Sequence, residues 1–262
     1  MNNENIVVYL YKIDTKMKKR LVFGDIHTHF DTLFGLYEKH NPDSVIILGD
    51  YFDSFSRPPY KLQVEGFNKL LELKRTHEES GKGDFTLILG NHDYHYSNYC
   101  TDTYSGFNLF LKNEARNIVT NAIVDGTIKV VLVDKVNKTI YSHAGVTEYW
   151  LNEILKGESI EDINKIENIK SLDFNYDTGF NYYGDTISQS PIWVRPNSLC
   201  KNHFKGWDQV VGHTHTKEPI IENFDDGFKL YIIDTMPMHY IIETLDEDNK
   251  IIERKIVTDN QD

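Results

Sequence analysis

Apolar residues come along this chain in short blocks that stop abruptly at a glycine or a polar residue. Ser44-Val45-Ile46-Ile47-Leu48 is one such block, bounded by Pro42 and Gly49. A continuous apolar run of that length reads as a buried strand. Leu21–Phe23, Thr86–Leu89, Thr139–Tyr141 and Gln209–Val211 repeat the form, and Ile6–Ile13 reads as a leading strand. Between the early blocks the spacing becomes helical. Asp31 is placed to cap a helix carrying Leu33, Leu36 and Tyr37, and a second helix runs from about Tyr60 to Thr76 with Leu62, Phe67, Leu70, Leu71 and Leu73 on its core face. This β-α-β-α-β order predicts a parallel sheet with right-handed crossovers.

After a helix around Phe107–Arg116 the style changes. Ala122-Ile123-Val124, Ile128–Val133 and Thr139–Tyr141 predict strands joined by short turns, and Thr147–Ile169 predicts two charged helices broken near Gly157. Ser171–Trp207 is irregular, the kind of long segment that serves as a lid or specificity loop. Val210–Val211, Phe228–Ile233, Tyr240–Ile242 and Ile251–Val257 return to strands. An α/β first half joined to a more antiparallel second half makes one mixed sandwich the simplest assembly.

With 262 residues the chain suits one large domain, and 40% hydrophobic and 13% aromatic residues are those of a globular protein. The net charge of −12 argues against long nucleic acid or an anionic membrane as partner. Cys100 and Cys200 are too few for a disulfide framework, the polar start Met1–Asn5 lacks a signal-peptide pattern, and Ile6–Tyr11 is too short to span a membrane. These features lead to the expectation of a soluble cytoplasmic protein.

The strand ends are the candidates for chemistry. Gly24-Asp25-Ile26-His27, Gly49-Asp50-Tyr51-Phe52-Asp53, Gly90-Asn91-His92-Asp93, Ser142-His143-Ala144-Gly145 and Gly212-His213-Thr214-His215 put Asp, Asn and His at five of them. One Gly-Asp after a strand is usually a turn, and a lone His143 would ordinarily be a hydrogen-bonded core histidine. Five such ends in series make coincidence a poor explanation, because neighbouring strand ends converge on one sheet edge. Asp25 and His27, two apart, share a face if the segment is extended. Asp25, His27, Asp50, Asn91, His143, His213 and His215 are too many donors for one tetrahedral zinc and suit two ions bridged by a carboxylate. Paired ions ~3.5–4 Å apart are what phosphoester hydrolysis uses.

These five motifs together resemble the calcineurin-like metallophosphoesterase family, within it the phosphoprotein-phosphatase branch and its bacterial and phage relatives, over Gly24–His215. The resemblance implies a four-layer sandwich of two mixed β-sheets flanked by helices, in one domain covering 1–262 with 147–207 as a helical and loop insertion near the site. It implies two divalent ions, manganese first, with iron, zinc or magnesium as alternatives. Asp25, His27, Asp50 and His215 would hold one ion; Asp50, Asn91, His143 and His213 the other. His92 matches the family's catalytic histidine and Asp53 the residue that orients it.

The departures matter too. Thr28-His29 stands where the family usually has Gly, Asp93 where Glu is usual, and Ser54 where an Arg usually grips phosphate. Arg195, in Trp193-Val194-Arg195, and Arg57 are candidate replacements, because the guanidinium fork matches phosphate oxygens. His29 is a further candidate contact. Tyr51, Phe52, Tyr94 and Tyr96 suit ordinary packing better than a base-stacking wall. The implied activity is hydrolysis of a phosphomonoester, on a protein or small metabolite, by metal-activated hydroxide. The alternatives are a dinucleoside-polyphosphate hydrolase, a phosphodiesterase, or a catalytically silent metal-binding scaffold.

Overall fold

The computed structural model describes residues 17–54, 56, 58–176, 184–235 and 238–259. The expected strand Ile6–Ile13 and the candidate Arg57 lie outside them. The first half follows the predicted order: β1 (Lys18–Phe23), α1 (Phe30–His40), β2 (Ser44–Ile47), α2 (Tyr60–Glu79) and β3 (Phe85–Ile88). A single turn, α3 (Asn91–Tyr94), and α4 (Leu109–Val124) lead to β4 (Ile128–Lys129), β5 (Val131–Asp134) and β6 (Thr139–Ser142). The remainder is α5 (Pro196–Lys201), β7 (Asp208–Val211), β8 (Ile220–Asn223), β9 (Lys229–Ile232), β10 (His239–Leu245) and β11 (Ile251–Thr258).

Two mixed sheets result. One has the order β11-β10-β1-β2-β3-β4, with β1 to β4 parallel and β10 antiparallel to both β1 and β11. The other has the order β5-β6-β7-β9-β8, with β6, β7 and β9 parallel. Alternation along each strand assigns its side chains to two layers. Val22, Ile46, Leu48, Ile88, Tyr141, Val210, Ile233 and Ile241 meet between the sheets. Leu21, Phe23, Val45, Ile47 and Leu87 instead join Leu33, Leu36, Phe67, Leu70 and Val119 of α1, α2 and α4 on the outer face. Leu199 of α5 packs with Val211, Leu230 and Ile232 behind the second sheet. Among the described residues no helix is long and apolar enough to cross a membrane.

Several sequence expectations are corrected. Ala122-Ile123-Val124 ends α4 and is not a strand, since Leu111, Ala115, Val119 and Ala122 form one buried helical face. The run Ile128–Val133 divides between two sheets. Asn164 makes the break, its side chain accepting from the Val130 and Val131 amides and donating to the Val131 carbonyl. Thr147–Ile169 holds no α-helix. A π-helical turn (Trp150–Ile154) precedes two 3₁₀ segments, Ile160–Asn164 and Ile166–Leu172. Ile160, Ile163, Ile169 and Leu172 are buried at multiples of three, the 3₁₀ period. His29, not Asp31, precedes the first turn of α1. The unanticipated β8 is a mostly exposed edge strand with no inward alternation to reveal it.

A buried ionic cluster joins the sheets at the edge where β1, β6 and β7 begin. Glu243 of β10 accepts from Arg20 of β1, Arg254 of β11 and the Tyr141 hydroxyl of the opposite sheet. Arg20 also reaches Asp134 at 2.9 Å, and Arg254 reaches Asp208 at 3.1 Å. Replacing Glu243 by Gln removes the negative charge that two largely buried guanidinium groups share, leaving each with one carboxylate, Asp134 or Asp208. Urea unfolding is expected to show a loss of about 3–5 kcal/mol, and an unchanged midpoint would contradict it.

Candidate active site

At the opposite edge, β1, β2 and β3 of one sheet and β6, β7 and β9 of the other all end, and each end carries a polar residue. The loop after β1 is zipped to the loop after β2. Amides of Ile26, His27 and Thr28 donate to the carbonyls of Gly49, Asp50 and Tyr51. The fully buried Asp93 carboxylate ties the β2 and β3 loops together by accepting from the amides of Asp50, Tyr51 and Gly90 at 2.8–2.9 Å. Glycine is required where the loops press on carboxylates. A Cβ on Gly90 would stand 2.1 Å from Asp50 Oδ1, and one on Gly212 would stand 2.0 Å from Asp25 Oδ1.

The two-residue spacing of Asp25 and His27 works for a different reason than anticipated. The segment is not extended, because His27 (φ 39°) and Thr28 (φ 69°) are left-handed. Asp50, Asp53 and His213 are left-handed as well, at φ 51°, 58° and 61°. Non-glycine residues in that region are strained, and such strain concentrates at functional sites.

Asp50 is central. Its Oδ1 accepts the His92 amide at 2.9 Å, and its Oδ2 faces His27 Nε2 at 3.6 Å and His143 Nε2 at 3.4 Å. Both histidines are aimed by their other nitrogen. His27 Nδ1 is bound to the carbonyls of Phe52 and Asp53, and His143 Nδ1 to that of Leu48. Backbone carbonyls accept only, so Nδ1 carries the proton and Nε2 keeps its lone pair. His143 Nε2 also lies 2.9 Å from Asn91 Oδ1, and Asp25 approaches His27 at 3.8 Å and His143 at 3.7 Å. The His213 ring packs 4.9 Å from that of His143, its Nε2 against the Trp193 carbonyl and its amide on Asp25.

The electrostatics of this cluster suit a cation. Burial, then Asp234 and Asp50, push the Asp25 carboxyl well above its ordinary range. Burial also opposes charge on Asp50, but His143, His92 and His27 outweigh it and hold Asp50 low. Burial keeps His143 and His213 below the ordinary imidazole value, the neutral form a metal ligand needs. Buried like charges facing lone pairs fit divalent cations better than they fit one another. Donor atoms of Asp25, His27 and Asp50 all lie within 4.8 Å of one another.

Other candidates take distinct places. His215 stands at the rim with its side chain 53% exposed, its Nδ1 3.6 Å from Asp234. His92 Nδ1 lies 3.0 Å from Asp53 Oδ2. Burial disfavours the charged form of His92, but Asp50 and Asp53 raise its pKa to about 9. Arg195 immediately precedes α5 and donates to the His213 carbonyl and the Thr214 hydroxyl. Burial lowers its pKa, and the negative charges of Asp25, Asp50 and Asp234 oppose that shift. His29 is held down by burial and by His27. Tyr51, Phe52, Tyr94 and Tyr96 are fully buried packing residues, not a stacking wall.

Sequence reasoning missed Asp234 and His95, and read Tyr96 as packing alone. Asp234 comes after β9 as Asp25 comes after β1, so the strand-then-acid signal was present, without a glycine to mark it. A separate group, His203 with Asp225 and Asp226, lies by the β8–β9 turn. Asp226 is already committed there to the amides of Gly206 and Phe228, as turn carboxylates are.

The family comparison agrees with the motifs. The profile of the calcineurin-like phosphoesterases matches residues 18–235, and the chain belongs to that family. A comparison with curated proteins finds no sequence match. Among solved structures, a protein serine/threonine phosphatase from Saccharomyces cerevisiae is similar in fold, with TM-score 0.55, 14% identity, and coverage of 92% of this chain and 79% of that one. A dimetal phosphatase from Danio rerio gives TM-score 0.41 and 12% identity over 92% of this chain and 98% of that one.

Thr28 occupies a left-handed position, φ 69°, that glycine adopts without strain. Thr28→Gly is expected to raise stability by about 1 kcal/mol, the relief of a strained β-branched residue exceeding glycine's entropy loss. Thermal unfolding of the metal-free protein measures it, and a lower melting temperature would contradict the strain assignment.

Proposed function

We propose that this protein is a metal-dependent phosphomonoesterase acting on a phosphorylated protein or small metabolite. The observation that carries this reading is the single oxygen Asp50 Oδ2 facing two histidines at once, 3.6 Å from His27 and 3.4 Å from His143. Asp25, His27, Asp50 and His215 would hold one divalent ion, and Asp50, Asn91, His143 and His213 the other. Bound there, such a pair supplies Lewis-acid neutralisation of phosphoryl oxygens and activation of water.

The chain's own residues do the rest. Arg195 binds and orients the phosphoryl group through its fork. Asp53 fixes the His92 ring through Nδ1, so that Nε2 is the atom that hands a proton to the departing oxygen. Buried Tyr96, bonded to Asp53 and packed on Phe52 and Phe107, excludes water from behind this pair. The excess of carboxylates makes a short phosphoester a better ligand than a long polyanion.

Elemental analysis and a substrate panel on manganese-loaded protein test the reading. Asp50→Asn is expected to abolish loading of both ions and all turnover. His92→Asn keeps the ions and loses about 10²–10⁴-fold in kcat. Turnover restricted to diesters or dinucleoside polyphosphates would contradict the monoesterase assignment, and a loaded protein inert on every substrate would favour a scaffold.

A further inference from the structure

Asp53 is gripped by more donors than the orientation of one histidine requires. Its Oδ2 accepts from His92 Nδ1 at 3.0 Å and from His95 Nε2 at 2.8 Å, while its Oδ1 accepts from the Tyr96 hydroxyl at 2.6 Å. His95 and Tyr96 are both fully buried and come directly after α3, the turn that carries His92. The phenol is itself oriented. Its oxygen accepts the Asn108 amide at 3.1 Å, which turns its proton toward Asp53.

His95 has a single polar contact of this kind. Its Nδ1 is buried without a hydrogen-bond partner among the described residues. A carboxylate only accepts, so the proton of the neutral ring sits on Nε2. The ring is clamped by its neighbours, stacked on Tyr104 at 6.1 Å and edge-on to Phe107 at 5.5 Å and Tyr96 at 4.3 Å. The backbone at Gly106 packs against Asp53 itself, since a Cβ there would lie 3.1–3.2 Å from the Asp53 side chain.

We propose that His95 and Tyr96 are positioning residues that lock the Asp53 carboxylate in the one orientation keeping His92 Nε2 directed at the leaving oxygen. With His92 as its sole partner, a short side chain on a left-handed backbone is able to exchange oxygens or swing away. Two rigid neutral donors, one on each oxygen, remove those alternatives without adding charge. Partners of this sort set ring orientation in metal and proton-transfer sites, where small misplacements cost rate. The inference rests on the reading of His92 as the proton donor.

The test uses full-length, manganese-loaded protein and two substrates, 4-nitrophenyl phosphate and an alkyl monoester such as phosphoserine. A nitrophenolate departs without help, whereas an alkoxide needs a proton. His95→Phe and Tyr96→Phe are each expected to lower kcat on the alkyl ester about ten-fold, with less than about two-fold on the aryl ester. KM and metal content remain unchanged, and His95→Gln, which restores an amide donor, recovers most of the loss. Equal losses on both esters, or none on either, would overturn the proposal and leave the enzyme assignment intact. A second readout needs no turnover. In metal-free protein labelled with ¹⁵N-histidine, the His92 Nδ1–H should exchange slowly, and that signal should vanish in the His95→Phe/Tyr96→Phe double variant. If the wild type hydrolyses neither ester, the phosphatase reading fails, and a signal that persists in the double variant overturns the positioning role by itself.

Discussion

Asp25, Asp50 and Asp234 come together under buried, neutral imidazoles, and most of the unusual features of this protein derive from that crowding. Three buried carboxylates repel one another, and among the described residues no lysine or arginine forms an ion pair with Asp25 or Asp50 at salt-bridge distance. Low dielectric magnifies the repulsion, which raises the Asp25 carboxyl and which cations between the oxygens would relieve. The histidines are turned for that purpose, each with one nitrogen spent on a main-chain carbonyl.

Holding such a centre requires support on two scales. Nearby, the Asp93 carboxylate fastens two loops, while His27, Thr28, Asp50, Asp53 and His213 accept left-handed backbone. At the far edge, Glu243 binds Arg20, Arg254 and Tyr141 and ties one sheet to the other. Strain at one edge and a satisfied ionic cluster at the other suit a rigid sandwich whose strand ends are free to specialise.

The strand-end motifs were readable because buried parallel strands leave continuous apolar runs, and the polar residue after each run is conspicuous. That logic located Asp25, Asp50, Asn91, His143 and His213 at one edge, and it extends to Asp234. It failed where period and length were ambiguous. Ala122-Ile123-Val124 looks like a strand until Leu111, Ala115 and Val119 are counted with it. The spacing of Ile160, Ile163, Ile169 and Leu172 belongs to a 3₁₀ path that charged surface residues disguise. The grip of His95 and Tyr96 on Asp53 was hidden because it depends on a one-turn helix bringing them against the loop after β2, which no periodicity encodes.

The central claim is that Asp50 is the carboxylate two divalent cations would share. Anomalous diffraction from crystals of the protein grown with manganese tests it most directly. The account predicts two peaks about 3.5–4 Å apart on either side of Asp50, one near His27 and the other near Asn91 and His143. A single peak there, or manganese bound only at His203 and Asp226, would contradict it.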